Sequence, residues 1–300
     1  QLLFAGAGSV ALAVALWLPR RLIDKLAYPA LFAAFILLLL CLSPLGIKVN
    51  GAQRWIPVAG FSLQPMEFAR ISLVLYLAYF MSTKQDLVKT FTKGVVPPFA
   101  VTGVLCCLLL LQPDFGGAMV LVILLFFMCL VGGTRFIYLF LTLALGLASA
   151  ALLIVYSPYR VKRLLAFLDP FKDALDSGYQ LVQSLFALGS GGFFGVGMGN
   201  SRQKMLYLPE AHNDFIMAVV GEELGFVGIT LIMLLFGMLF ARCYRIIMGQ
   251  PNTRDKLTAF GLTLVIAVGA VLNLAVVMGM APPKGVSMPF ISYGGSSLLA

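Results

Sequence analysis

The sequence predicts an all-α protein that crosses a membrane many times, and three observations predict it. Of its 300 residues 61% are hydrophobic and only 11% are charged, against roughly 25% charged in a soluble domain. Mean hydropathy is +0.99. Apolar runs of roughly 17–25 residues, the length that spans a bilayer as a helix, recur along the whole chain. One polytopic transmembrane domain over residues 1–300 is the economical organisation.

Taken in order, spanning helices are expected at 1–18, 27–43, 65–82, 94–111, 116–132, 136–156, 214–241 and 257–280, with another beginning near 290. The chain opens on "QLLFAGAGSVALAVALWLP", which has no charged n-region or cleavage site and so reads as a helix rather than a signal peptide. It stops inside "ISYGGSSLLA", and both ends read as truncated. Pro65 and Pro209 each suit a first helical position, where the missing N–H would be unpaired anyway. Between the sixth and seventh spans lies a long connection, 157–213. Within it "GYQLVQSLFALGS" (178–190) has the spacing of a short interfacial helix. "GSGGFFGVGMG" (189–199) reads as a flexible segment skimming the membrane, with Phe193 and Phe194 dipping into the interface. Its Gly195-x-Gly197 ends on Asn200, and neither a βαβ context nor a G-K-[ST] loop exists, so a nucleotide site is excluded.

Loop charge sets the orientation. Segments 19–26, 83–93, 133–135 and 242–256 hold eleven basic residues, whereas the short loops opposite hold three, Lys48, Arg54 and Lys284. The first set is therefore cytoplasmic. The 157–213 connection, 50–65, 112–117 and 282–290 are then external, and nine of the twelve acids lie at or near that side. Scattered over short loops without basic blocks, the net charge of +9 fits topology and excludes a nucleic-acid binder. The five cysteines lie in or at the end of apolar segments without C-x-x-C spacing, and read as packing residues.

The acids of "LPEAHNDFIMAVVGEELGF" (208–226) then need explaining. If the helix starts at Pro209, Glu210 sits in the first turn, where the dipole favours a carboxylate. Asp214 would lie roughly 7–8 Å deeper. On a helical wheel Ala218, Gly221, Gly225 and Gly228 fall within about 40° of Asp214, a stripe of small residues that admits a close helix or a lipid chain. If the helix starts later, Asn213 or Asp214 is an N-cap instead. Glu222 and Glu223 must face the protein interior and find partners. By the same reasoning Arg70, five residues after Pro65 with Glu67 in the first turn, is expected at the depth of Asp214. The two would form an ion pair, or a polar pocket beneath the outer surface. Arg54 and Lys284 add external cations, suited to lipid headgroups or to phosphate. His212, the one histidine, is too isolated to define a metal site and suits a helix-end hydrogen bond.

Four stretches together closely resemble the SEDS family (shape, elongation, division and sporulation) of bacterial cell-wall proteins. They are "VNGAQRWIPVAGFSLQPMEFAR", "LQPDFGGAMV", "GYQLVQSLFALGSGGFFGVGMGNSRQKMLYLPEAHNDFIMAVVGEELGFVG" and "PPKGVSMPFISYGGSSLLA". The resemblance implies a ten-helix bundle, of which this chain has about eight helices plus the start of another, lacking the first and most of the last. Lys284 and "SRQKMLYLPEAHNDF" look more like the division-type member than the elongation-type one. The activity implied is polymerisation of lipid II by a peptidoglycan glycosyltransferase, beside a class B penicillin-binding protein that acts as transpeptidase. Undecaprenyl-linked glycan, membrane lipid and division regulators are the further partners implied, in the bacterial cytoplasmic membrane at the septum.

On this resemblance the essential acid falls on Asp214, and the basic positions fall on Arg54, Arg70 and Lys284. Gln64 and Glu67 join them as substrate-binding candidates, with Glu210, His212 and Gln183 as further ones. The family motif usually reads Gln-Pro-Ser-Glu with a following lysine. Here Met66 and Arg70 stand in those places, and arginine binds phosphate as a fork rather than a point charge. No cofactor is encoded, although a divalent cation, Mg or Mn, on the pyrophosphate is compatible with the chemistry. Two other functions fit a polytopic bundle: a lipid II flippase, which needs polar groups across the full membrane thickness, and a scaffold that only recruits the transpeptidase. The outer-half clustering of polar residues favours the enzyme.

Overall fold

The structure is a computed structural model and describes every residue except 1, 50–51, 59–60, 177, 205–207, 210, 283–284 and 294–300. Its elements begin with helices α1 (Leu2–Trp17) and α2 (Arg20–Leu42) and strands β1 (Ile47–Val49), β2 (Ala52–Val58) and β3 (Phe61–Leu63). Helices α3 (Pro65–Thr83), α4 (Val96–Leu111), α5 (Phe115–Val131) and α6 (Phe136–Val155) follow. The long connection carries α7 (Pro158–Leu168) and α8 (Tyr179–Gly191), and the chain continues with α9 (Ile216–Gly249) and α10 (Thr253–Val277). Each of the eight predicted spans has a helical counterpart. Among the described residues four stretches are long and apolar enough to cross a membrane by length and composition: Leu22–Leu42, Phe91–Leu111, Ile216–Gly249 and Thr253–Val277. This is a multi-pass membrane protein.

Several boundaries differ from expectation. Helix α2 starts at Arg20, directly after the extended Pro19, so the expected loop 19–26 is largely helical. Residues 47–63, expected as an external loop, form a three-stranded antiparallel sheet in the order β1-β2-β3. Its register places Ile47 opposite Trp55 and Ile56 opposite Leu63, with Ala52 and Ile56 buried. Helix α7 was not expected, and α9 runs on to Gly249. Residues 289–292 are turn rather than helix, and the rest of the expected final helix lies outside the described residues.

The chain divides into two compact units. The first takes the residues up to Leu143 together with Cys243–Ile266; the second takes Ala144–Arg242 and Ala267–Tyr293. In the first, α2 and α5 each pack on α3 and α4, around fully buried Leu38, Leu73, Leu77, Leu109, Leu121, Leu124 and Met128. Charge sorting is visible in its contacts. Arg254 pairs with Asp24 at 2.8 Å and lies 4.2 Å from the Tyr79 ring, in the last turns of α3, so segments predicted to be cytoplasmic meet. At the other end of α3 the sheet meets the α4–α5 connection, as expected of two external loops: Arg54 of β2 donates to the Pro113 carbonyl.

In the second unit α9 is broken at Gly225, whose backbone is left-handed (φ 66°, ψ −162°). An unbroken helix would bond Phe226 N–H to Glu222 O and Val227 N–H to Glu223 O. Instead the 192–197 segment enters the break. Phe226 N donates to Gly192 O (3.0 Å) and Val227 N to Phe193 O (3.2 Å), while Val196 N and Gly197 N donate to Glu222 O (2.9 Å) and Glu223 O (3.1 Å). Two helical bonds are replaced by four, so no group at the break is left unpaired in an apolar setting. The expected flexible, membrane-skimming segment is therefore pinned backbone to backbone. Gly195 is required there, because its φ is +79° and a Cβ would press into the Glu223–Leu224 peptide.

This geometry makes a paired prediction. Gly195→Ala places an L-residue in a left-handed conformation, at a cost of about 1–2 kcal/mol, and should lower Tm of the purified protein by about 2–8 °C. Gly189→Ala, in α8 with open space around it, should leave Tm unchanged or raise it.

Candidate functional site

In the first unit two acid–cation pairs lie at the N-terminal ends of α3 and α5. Arg54 pairs with Asp114 through Nη1 and Oδ1 at 3.8 Å, besides its bond to Pro113. Asp114 is buried, and its Oδ1 accepts the Gly117 N–H at 3.0 Å, capping α5. One carboxylate thus serves a helix dipole and a guanidinium. Two residues earlier the buried Gln112 donates from Nε2 to Leu38 O at 2.8 Å, tying the α4–α5 turn to α2. A Cβ on Gly117 would meet Met66 Cγ at 3.0 Å, so the first turns of α3 and α5 are in contact.

Arg70 is 9% exposed and Glu67 4%, and the two form an ion pair one turn apart on α3. An ion pair or a shared polar pocket with Asp214 was expected of Arg70; within the first unit it pairs with the acid of its own helix. At this burial, removing either partner leaves an uncompensated charge, which is strongly destabilising. Arginine has five N–H donors, and one carboxylate does not use them all. Gln64 stands at the N-cap position of α3 in extended conformation, half-buried, with its carbonyl accepting Glu67 N–H at 3.1 Å.

In the second unit the "HNDF" residues form a turn over 211–215, and α9 starts only at Ile216. Asp214 therefore lies just ahead of the helix rather than five residues inside it. The turn rests on buried Ala211 and Phe215, leaves His212 exposed, and holds Asn213 and Asp214 half-buried. Three consecutive carbonyls of this turn accept hydrogen bonds. His212 O takes Tyr293 N–H at 2.9 Å, Asn213 O takes Ser292 Oγ at 2.6 Å, and Asp214 O takes Asn273 Nδ2 at 2.8 Å. Asn273 Nδ2 also donates to Val286 O at 2.8 Å, and Ser292 Oγ accepts Met288 N–H at 2.7 Å.

The stripe of small residues also resolves. Gly221 lies under Leu188 and beside Gly191, and Gly225 lies against Phe193 and Gly195. It is a close-packing surface for α8 and the inserted segment, and the break at Gly225 puts Gly228 out of phase with it. The deeper acids brace this unit, as their position demanded. Glu222 accepts from Ser201 Oγ (2.5 Å), Arg202 N (3.1 Å) and Gln203 N (3.3 Å), and Glu223 pairs with Lys204 at 2.5 Å.

Gln183 is half-buried on α8, next to Ser184, whose hydroxyl donates to Val277 O at 2.9 Å. Lys284 and Glu210 lie outside the described residues. Asp114, Gln112, Asn273 and Ser292 escaped the sequence reading as site residues. Asn273 carried the clearest signal, an amide inside an otherwise apolar helix. Among the described residues no group of three or more His, Cys, Asp or Glu side chains is arranged to hold a metal ion.

A sequence profile described as "cell cycle protein", covering FtsW, RodA and SpoVE, matches residues 1–300. A protein of Trichlorobacter lovleyi named probable peptidoglycan glycosyltransferase FtsW is 45% identical, over all of this chain and 79% of its own length. Stage V sporulation protein E of Bacillus subtilis is 40% identical over 99% of this chain and 82% of that protein. Among solved structures, a chain from a peptidoglycan synthase complex, described for its coordination of polymerization and crosslinking, is similar with TM-score 0.81 and 31% identity. That match covers all of this chain and 84% of the other. The rod shape determining protein RodA of Thermus thermophilus is similar with TM-score 0.73 and 30% identity, over all of this chain and 81% of its own.

The double duty of Asp114 separates two substitutions. Asp114→Asn keeps an acceptor for Gly117 N–H and loses the negative charge beside Arg54. Asp114→Ala also removes the cap, a further loss of about 0.5–2 kcal/mol. Thermal unfolding should rank wild type, Asp114→Asn and Asp114→Ala in that order.

Proposed function

The chain belongs to the FtsW/RodA/SpoVE family of cell cycle proteins, and from that premise we propose that it is a peptidoglycan glycosyltransferase that polymerises lipid II at the outer face of the cytoplasmic membrane. Relatives at 40–45% identity carry the name of that activity. The observation that carries the reading is a half-buried carboxylate, Asp214, in a turn whose backbone is held on three consecutive carbonyls.

The transfer is inverting. The 4-hydroxyl of the acceptor lipid II sugar attacks the anomeric carbon of the donor chain, and its proton passes to the Asp214 carboxylate as the new glycosidic bond forms. The bond to undecaprenyl pyrophosphate breaks, and the growing negative charge is stabilised by Arg54, Arg70 and Lys284. Glu67 and Asp114 hold the two arginines and leave each guanidinium donors to spare. Gln64, Gln183, Glu210 and His212 are assigned to substrate contacts. An Mg or Mn ion taking part would travel on the pyrophosphate, as hard cations do with phosphate oxygens.

The assigned partners are a class B penicillin-binding protein and division regulators at the septum, in keeping with a similar chain found in a peptidoglycan synthase complex. The flippase reading loses support, because the deep polar groups it requires have structural duties. Glu222 binds the 201–203 loop, Glu223 binds Lys204, and Asn273 binds two carbonyls.

The test is polymerisation of labelled lipid II by the full-length protein with its transpeptidase partner. Asp214→Asn should lower the rate about 10²–10⁴-fold, the contribution of a general base, and near-normal chain synthesis would refute the assignment. In vesicles, lipid II translocation that survives Asp214→Asn without a polymerase partner would favour transport instead.

A further inference from the structure

We infer that Asn273 and Ser292 are positioning residues for the glycosyl transfer, which lock the turn carrying Asp214 to the 286–293 segment and so aim its carboxylate. The inference rests on Asp214 being the base.

All the groups concerned lie in the second unit. Asn273 and Ser292 are each 1% exposed, and the hydrogen bonds of both reach the turn that carries Asp214 as well as the 286–288 stretch. Both N–H groups of a side-chain amide are donors, and Asn273 Nδ2 spends them on two different stretches of chain, Asp214 O and Val286 O. Because both neighbours are carbonyls, the nitrogen must face them, and Oδ1 has no hydrogen-bond partner among the described residues. A buried amide that sacrifices its own oxygen to hold two carbonyls is costly for a purely structural role.

Ser292 repeats the pattern from the other side. Its hydroxyl donates to Asn213 O and accepts Met288 N–H, so it ties its own turn shut while gripping the neighbouring one. Tyr293 N–H completes the grip on His212 O. The 286–289 stretch can approach α10 closely because Gly269, one turn before Asn273, has no side chain: a Cβ there would meet Pro289 Cγ at 3.0 Å.

Fixing three successive carbonyls fixes the peptide planes on both sides of the Asp214 Cα. The direction of its Cα–Cβ bond follows. A base misplaced by about 1 Å loses about 10²-fold in rate without losing substrate affinity. Loss of either residue should therefore appear in kcat and not in KM.

The experiment uses the full-length protein with its transpeptidase partner and labelled lipid II, comparing wild type, Asp214→Asn, Ser292→Ala, Ser292→Thr and Asn273→Ala. Ser292→Ala and Asn273→Ala should lower kcat about 10- to 100-fold with KM within about 2-fold of wild type. Ser292→Thr, which keeps the hydroxyl, should return kcat to within about 3-fold. A wild-type kcat in Ser292→Ala beside an inactive Asp214→Asn would overturn the positioning role and leave the base intact. Active Asp214→Asn would overturn both. A raised KM with kcat unchanged, or a loss that Ser292→Thr does not relieve, would also overturn the role. Should Asn273→Ala not fold, Ser292→Ala decides alone, since it deletes a single oxygen.

Discussion

Within lipid no water is available to satisfy a backbone N–H or C=O, so any departure from a helix must bring its own partners. Much of the second unit follows from that constraint. At Gly225 the helix stops for one residue, and the four groups it releases are taken up by a glycine-rich segment arriving from α8. Just ahead of α9 the chain turns rather than coils, and the carbonyls of that turn are taken up by Ser292, Tyr293 and a single buried amide. In both places non-helical backbone is affordable only where protein surrounds it, and the second of them carries the proposed catalytic acid.

Charge obeys the same rule. The acids and cations described at membrane depth are paired or hydrogen-bonded: Glu67 with Arg70, Asp114 with Arg54 and a helix N-terminus, Glu222 with a loop, Glu223 with Lys204. Such pairs are weak evidence of stability, since well-packed apolar residues often do as well. Their retention is better explained by what they hold in place. Arg54 and Arg70 are long, flexible side chains, and a fixed acid beside each reduces the ordering needed before an anion can be bound.

The helices were legible because their signal is long and redundant: each span sums many apolar residues, and misreading a few moves only an end. That segments 19–26 and 242–256 share one side was legible from lysine and arginine alone, and the pairing of Arg254 with Asp24 agrees with it. The β-sheet was missed although "VNGA" carries an Asn-Gly pair, a strong hairpin signal, because three short strands give little periodicity beside the helices. The break at Gly225 was hidden for a different reason. A glycine in a stripe of small residues reads equally as a packing surface or as a hinge, and only the partner segment, some thirty residues upstream, decides. For the site, Asp214 stood out as an acid at the head of a helix and Arg70 by mirror placement, and the acid that pairs with Arg70, Glu67, lies one turn away on α3, where helical side chains meet. Asn273 and Ser292 grip carbonyls 59 and 79 residues away in sequence, and although an amide in an apolar helix marks Asn273, no local pattern announces what either residue holds.

The central claim is that the Asp214 carboxylate accepts the acceptor's proton, and the pH dependence of single-turnover glycan extension tests it most directly. Extension by the wild type should fall off on the acid side as that carboxylate is protonated, and the acid limb should vanish from the residual activity of Asp214→Asn. An acid limb of the same shape in both proteins would show that another group takes the proton and would contradict the account.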